Sequence, residues 1–194
     1  WMNNWQYANN IPVFNIAPKG ARGSMTLVRE LNLEMHPDGY LLLKNKVVSE
    51  VESIANDWKT IIDESLTSKT VALNLDNKKA YQLQLTGKIS DSETLSLKLS
   101  NSKNEFCNLT IDSRKLIFKR SDSGIVNFAD AFSGNSESPV FGSTNPVKLD
   151  IYVDQSSVEI FVNDGAVSLT NLVFPSSLYD VLTVESNNSH VNTK

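Results

Sequence analysis

The 194-residue sequence predicts an all-β chain folded as a two-sheet β-sandwich of the jelly-roll or concanavalin-like kind. Three observations carry that prediction. From residue 70 onward, apolar and polar residues alternate in short runs, the period of two that turns one side of a strand towards a core. Turn residues interrupt those runs every ten or so positions, a spacing that suits a sandwich better than βαβ units. Residues 124–146, rich in Ser, Gly, Asn and Pro, supply the long crossover that Greek-key and jelly-roll sandwiches need.

The bulk numbers agree and narrow the function classes. Hydrophobic content of 40% and charged content of 21% fit an ordinary globular chain. The net charge is −4, and no basic run exceeds two residues, so there is no footprint for nucleic acid. No apolar run reaches the length of a membrane-spanning helix. A single cysteine, Cys107, rules out an internal disulfide framework and a four-cysteine zinc site. The chain opens at Trp1 inside an aromatic motif, without a methionine or a signal segment, and so reads as a piece of a longer protein.

Taken in order, residues 1–7 (WMNNWQY) are aromatic and amide-rich, and residues 9–22, with Pro12, Pro18 and Gly20, form a loop by composition. In residues 23–33, Met25 and Leu27 alternate with Ser24, Thr26 and Val28, which predicts a strand. Pro37-Asp38-Gly39 is a turn leading into a strand at residues 40–43. Val51, Ile54, Trp58 and Ile61 fall at helical spacing behind a Ser49/Glu52 capping box, so a short helix is expected within residues 49–62, with Trp58 in the core. Strands follow at residues 71–75, 80–85, 94–99, 106–111 and 115–119, with Cys107 as a small buried residue.

The clearest stretch is residues 147–170. Leu149, Ile151 and Val153 alternate with Asp150, Tyr152 and Asp154, and Val158, Ile160 and Val162 with Glu159, Phe161 and Asn163. Asn163-Asp164-Gly165 between two apolar runs is a strong hairpin signal, because these residues tolerate left-handed backbone angles. Three strands over an apolar core result, and their outward side meets either water or a second surface. A last short strand at residues 181–184 precedes a tail, residues 186–194, expected to fray.

Two motifs in this order carry a resemblance. SSVEIFVNDG at residues 156–165, followed by Phe174-Pro175, resembles the closing signature of glycoside hydrolase family 32, the invertases, levanases and inulinases. WMNNWQYA, a proline-containing loop and then RGSMTLVREL resemble the last blade of that family's catalytic propeller. Two positions depart from the pattern: Ala21 stands where the family usually has Trp, and Val28 where it has Pro. Losing the tryptophan puts that loop's packing or sugar contact in doubt.

The resemblance implies residues 1–33 as a last-blade fragment of a five-bladed β-propeller and residues 34–194 as the C-terminal β-sandwich. It also implies retaining cleavage of β-fructofuranosides (sucrose, levan or inulin) by the whole enzyme, without a metal or other cofactor. Such a reaction needs two carboxyl groups flanking the glycosidic bond. The family places them in Asn-Asp-Pro, Arg-Asp-Pro and Glu-Cys motifs, and this sequence contains none of the three. No catalytic residue is therefore assigned to this chain, and its expected work is structural support of the propeller. Asp154 and Glu159, at the ends of a hairpin, are expected to be solvated, and Glu30 to make an ion pair at the domain junction. His36 and His190 have no partners suggesting a triad or a metal site.

Substrate contact is expected only at the aromatic N-terminus. An indole face stacks on a sugar ring and amides bond its hydroxyls; carried over from the family, this points to Trp1, Trp5 and Asn4, against the plainer reading that both tryptophans pack the last blade. Two further readings stay open. One is a fructan- or carbohydrate-binding module, although Tyr40, Tyr81, Tyr152 and Tyr179 form no row. The other is a dimerisation domain, hinted at by Tyr152 and Phe161 opposite the Val/Ile core positions. Expected partners are thus the N-terminal propeller, fructan oligosaccharides or a second copy, in a secreted, periplasmic or cell-surface setting implied by the family. A blade fragment standing alone would leave apolar surface and strand edges unpaired.

Overall fold

Alternation in the sequence becomes twelve strands among the described residues. The computed structural model describes residues 2, 4–11, 23–55, 58–75, 78–140 and 146–193, the side chains of 65, 66 and 187–192 excepted. Trp1, most of the proline-containing loop and the sequence turn at 76–77 lie outside the described residues. In chain order the strands are β1 (Arg29–Met35), β2 (Leu41–Val47), β3 (Ile62–Ala72), β4 (Tyr81–Gly87), β5 (Leu95–Ser100) and β6 (Phe106–Ile111). They continue with β7 (Lys115–Asp122), β8 (Ser136–Pro139), β9 (Val147–Asp154), β10 (Ser157–Val162), β11 (Val167–Leu172) and β12 (Val181–Thr193).

The expected two-layer sandwich is built from one hydrogen-bonded path, β11-β10-β9-β4-β12-β5-β6-β7-β8, folded over at β12. The pairing register of that strand with β3 shifts between Glu185 and Ser189. Its first part pairs with β5 and its last residues with β4, while β3 runs along its other edge throughout. Strands that change sheet at a bulge are the usual way to make a sandwich corner. Residues 186–193 are therefore a paired strand and not the expected frayed tail; Thr193 is buried, and its carbonyl accepts the Ile61 N–H at 2.9 Å.

The core lies between the two layers. Leu95, Leu97 and Leu99 from β5 and Leu109, Ile111 and Phe118 from β6 and β7 face Leu149, Ile151, Val158 and Ile160 from β9 and β10. Cys107 is buried among them, as expected, and burial pushes its thiol pKa up, away from reactive thiolate chemistry. The turn at 163–166 has Asn163, Asp164 and Gly165 all at positive φ (50°, 57° and 83°). Asn and Asp tolerate this backbone and Gly adopts it freely, so the turn signal in the sequence is realised.

Two expectations about local structure need correction. The expected short helix is present as the single turn α1 (Ser49–Glu52), but its N-cap is Val48, so Ser49 lies inside the helix and the capping box does not form. Ile54 and Trp58 are exposed, and Trp58 is not a core residue. Of the four apolar residues at helical spacing, Val51 is half-buried and Ile61 packs against the main core, while Ile54 and Trp58 are left outside it. The strand expected over residues 23–33 begins at Arg29, and the 124–146 crossover contains a 3-10 turn (Asp130–Phe132) and β8.

β1 and β2 stand apart as a separate antiparallel hairpin. The predicted turn closes it, with the Gly39 N–H donating to the His36 carbonyl and His36 stacked on Tyr40. Leu31, Leu33, Met35, Leu41 and Leu43 are all exposed. By strand alternation and register (Leu33 opposite Leu43, Met35 opposite Leu41) they share one face.

Candidate functional site: the junction between the N-terminal segment and the sandwich

The outward side of β10 is the second surface that the sequence left open. All six residues of β10 are buried, because the N-terminal segment covers the face that strand alternation turns away from the core. Arg29 reaches down from β1: its Nη2 donates to Glu159 Oε2 at 2.6 Å and to Thr170 Oγ1 at 2.5 Å, and its guanidinium lies 4.9 Å from the centre of the Phe161 ring. The other carboxylate oxygen of Glu159 accepts the Leu27 N–H at 2.9 Å. Glu159 is only 3% exposed, so the expectation that it is solvated at a hairpin end is wrong. The junction ion pair comes from Arg29 instead of its neighbour Glu30, which is exposed. Strand phase explains the choice, since residues 29 and 30 point to opposite sides of β1.

A backbone clasp reinforces this pair. The Asn45 N–H donates to the Gly165 carbonyl at 2.9 Å, and a Cβ placed on Gly165 would overlap the Asn45 carbonyl oxygen. The third residue of the NDG turn thus serves both the turn and the close approach of β2.

The predicted substrate-facing segment lies next to this latch. The Asn4 carbonyl accepts the N–H groups of Tyr7 and Ala8, and its Oδ1 accepts the Gln6 N–H. That tight self-bonded turn throws Trp5 outward, 97% exposed, and Tyr7 inward. Tyr7 meets Phe132 edge-on at 5.2 Å, and Phe132 stacks on Phe174 at 5.3 Å, forming a second small core with Met2, Ile11 and Leu172. Asn4 and Trp5 therefore sit together at the mouth of one cleft of about 470 Å³. Its deeper wall is made by Arg120, Ser136, Thr170 and Asn171. Trp1, the first residue expected here, lies outside the described residues.

Arg120 was missed by sequence reasoning, although a signal existed: it continues the inward phase of Leu116 and Phe118 along β7. Its guanidinium lies 4.1 Å from the Phe132 ring centre and 5.5 Å from that of Tyr7, and Nη1 donates to the Leu172 carbonyl at 2.9 Å. No carboxylate is among the described residues lining this cleft, so a two-carboxylate hydrolytic mechanism has no basis there. Asp154 is exposed, with its Oδ1 accepting the Gln155 N–H, and His36 is taken up by the β1–β2 turn. The side chain of His190 is outside the described residues. Among the described residues, no group of three or more His, Cys, Asp or Glu is placed to hold a metal ion.

The chain is similar over its full length to known proteins. A family profile described as the C-terminal part of the family 32 glycosyl hydrolases matches residues 50–194. The levanase of Bacillus subtilis (strain 168) is 31% identical over 202 residues, covering 100% of this chain and 29% of the levanase. The extracellular exo-inulinase of Aspergillus awamori is 29% identical over 91% of this chain and 33% of its own length. The chain thus spans about a third of the length of these curated relatives. Among solved structures, that of an exo-inulinase from Aspergillus awamori superposes with a TM-score of 0.82 over 100% of this chain and 38% of its own, at 24% identity. A β-fructofuranosidase from Schwanniomyces occidentalis gives 0.73 over 98% and 43%, at 16% identity. At these identities the structural likeness establishes the shared β-sandwich fold.

Proposed function

This chain belongs to glycoside hydrolase family 32, as its C-terminal domain, and from that premise we propose that it braces the catalytic propeller of an enzyme cleaving β-fructofuranosides. The observation that carries the proposal is the β1–β2 hairpin. One face presents five apolar side chains to solvent, while the hairpin is fastened to the sandwich through Arg29–Glu159 and Asn45–Gly165. Monomeric proteins rarely leave such a face open, and an adjoining propeller blade is the partner of matching chemistry. On this reading the blade fragment extends past residue 33, which falls inside β1, to Val47, just before the family match begins at residue 50.

In the intact enzyme the carboxylates would reside in the N-terminal part, and this chain alone is inert. The test is reconstitution. The purified chain is expected to release no fructose from levan, inulin or sucrose, and to restore hydrolysis when mixed with the N-terminal part of its parent enzyme. Fructose release by this chain alone, or full activity of the N-terminal part without it, would overturn the reading. The parent is proposed to be secreted or held at the cell surface, since relatives at 28–29% identity are named as extracellular exo-inulinases.

A second reading has its own support, the exposed indole of Trp5 beside the Asn4 amide. Trp5 and Asn4, with Trp1, are proposed to meet the fructosyl unit of the substrate. Calorimetric titration with inulin- and levan-type oligosaccharides decides it: binding lost in both Trp1→Ala and Trp5→Ala supports the assignment. Binding that survives both places any sugar site elsewhere on the sandwich.

A further inference from the structure

Beneath Trp5 the cleft has a chemical bias that sugar recognition alone does not require. Arg120 is 6% exposed and carries a charge that no protein environment neutralises by deprotonation. Buried charges are normally paired with an opposite charge, yet Arg120 has no carboxylate partner among the described residues. Among the described residues, Nη1 alone of its guanidinium nitrogens has an acceptor, the uncharged Leu172 carbonyl, and Nε is buried without a partner. The rings of Phe132 and Tyr7 attract the cation but do not bond its N–H groups.

Asn171, 2% exposed on the same wall, adds a second orphan. Its Oδ1 accepts the Ser136 hydroxyl at 2.6 Å, which leaves Nδ2 as a buried donor without an acceptor. Thr170 connects this wall to Glu159, but that carboxylate is already engaged by Arg29. Unsatisfied buried donors in a native structure call for an explanation, and here two of them flank an open cleft that has no acid among its described lining residues.

We propose that this cleft is a binding site for an oxyanion of the carboxylate or phosphate class, held by the guanidinium edge of Arg120 on the wall that Asn171 shares, with Trp5 free to cover a sugar ring that bears it. Guanidinium groups match the planar, two-oxygen face of such anions better than any other side chain. The proposal is independent of how the hairpin meets the propeller, and of whether Trp5 binds neutral fructosyl units.

The test is thermal melting and calorimetry of this chain with inorganic phosphate, glucuronate and fructose, at constant ionic strength set with chloride. Phosphate and glucuronate are expected to raise the melting temperature in a saturable way, as a ligand of the native state must, and by more than fructose does at equal concentration. Tighter binding of glucuronate than phosphate would identify an acidic saccharide as the ligand class, and equal binding a bare oxyanion. Arg120→Gln is expected to weaken the anion at least about tenfold. Because that substitution disturbs the aromatic packing, Asn171→Asp provides an isosteric control: a carboxylate placed on the same wall should abolish anion binding while the fold persists. Absence of an anion-specific shift in the unmodified chain, or undiminished binding in Asn171→Asp, would overturn the proposal.

Discussion

At the residue scale, the junction depends on one buried ion pair. Glu159 bonds Arg29 and the Leu27 N–H, and Arg29 in turn touches Thr170 and Phe161. Removing one member of a buried pair leaves the other uncompensated, which typically costs about 3 kcal/mol. Glu159→Gln is therefore expected to lower the urea midpoint of the chain and to speed amide exchange across residues 27–47, and a midpoint unchanged within error would show the latch to be idle. Glu105 makes a different, pH-dependent contribution. Burial on its own would raise its pKa, but bonds from the Asn101 side chain, the Ser176 N–H and hydroxyl, and the Ser177 N–H hold it below the ordinary 4.5. A carboxyl depressed in the folded state stabilises above its unfolded pKa, and that stabilisation disappears as pH falls through the folded value. Melting temperature should therefore drop as pH is lowered below about 4.5; Glu105→Gln should melt lower than the unmodified chain at pH 6, with the gap closing towards pH 3. Some of these residues were legible in the sequence and some were not. The NDG turn was, because its backbone demand is local. Glu159 was misread because its outward phase looked the same whether water or Arg29 lay above it, and Arg120 was passed over although it stood in a core phase.

At the scale of elements, strands with their own turn signals were legible, and elements defined by distant partners were not. β6 and β10 fall within a residue of their expected bounds, since each is framed by local turns. The helical spacing of residues 51–61 was misleading for the opposite reason: periodicity states which face a helix would bury, but not whether anything is there to bury it against. β12 is the largest miss. Residues 186–193 are polar in sequence, SNNSHVNT, and look like a tail, yet residues 189–193 pair with β3, and residues 191–193 with β4 as well, at the corner where the two layers meet. Strand pairing through the backbone leaves little trace in polarity. The consequence is testable by truncation. Deleting residues 187–194 unpairs β3 over Ile62–Leu66 and the last part of β4, and exposes Ile62 at the core. Cooperative unfolding, followed by circular dichroism, should be lost or shifted down by well over 10 °C, since several ladder bonds and a core edge are removed together. A true frayed tail would leave the transition where it was.

At the scale of the whole molecule, the sandwich closes over its own core while the hairpin does not. Leu31, Leu33, Met35, Leu41 and Leu43 lie on a two-stranded sheet, and all five are left exposed by the described residues. A surface of this kind attracts whatever complementary sheet is available, so the chain alone is expected to self-associate with rising concentration. Leu33 and Leu43 stand opposite each other in the register, so the double substitution Leu33→Ser, Leu43→Ser cuts the centre of the patch. Because both side chains are exposed in the monomer, the melting temperature should move little, while sedimentation velocity should return a single monomeric species. The same substitutions in the parent enzyme separate two assignments of this face. If it is the seat of a propeller blade, they should reduce fructan hydrolysis and loosen the catalytic part, with the sandwich still folded. If it is a dimer interface instead, the parent should become monomeric and keep its activity, and the bracing role argued for the hairpin would be wrong.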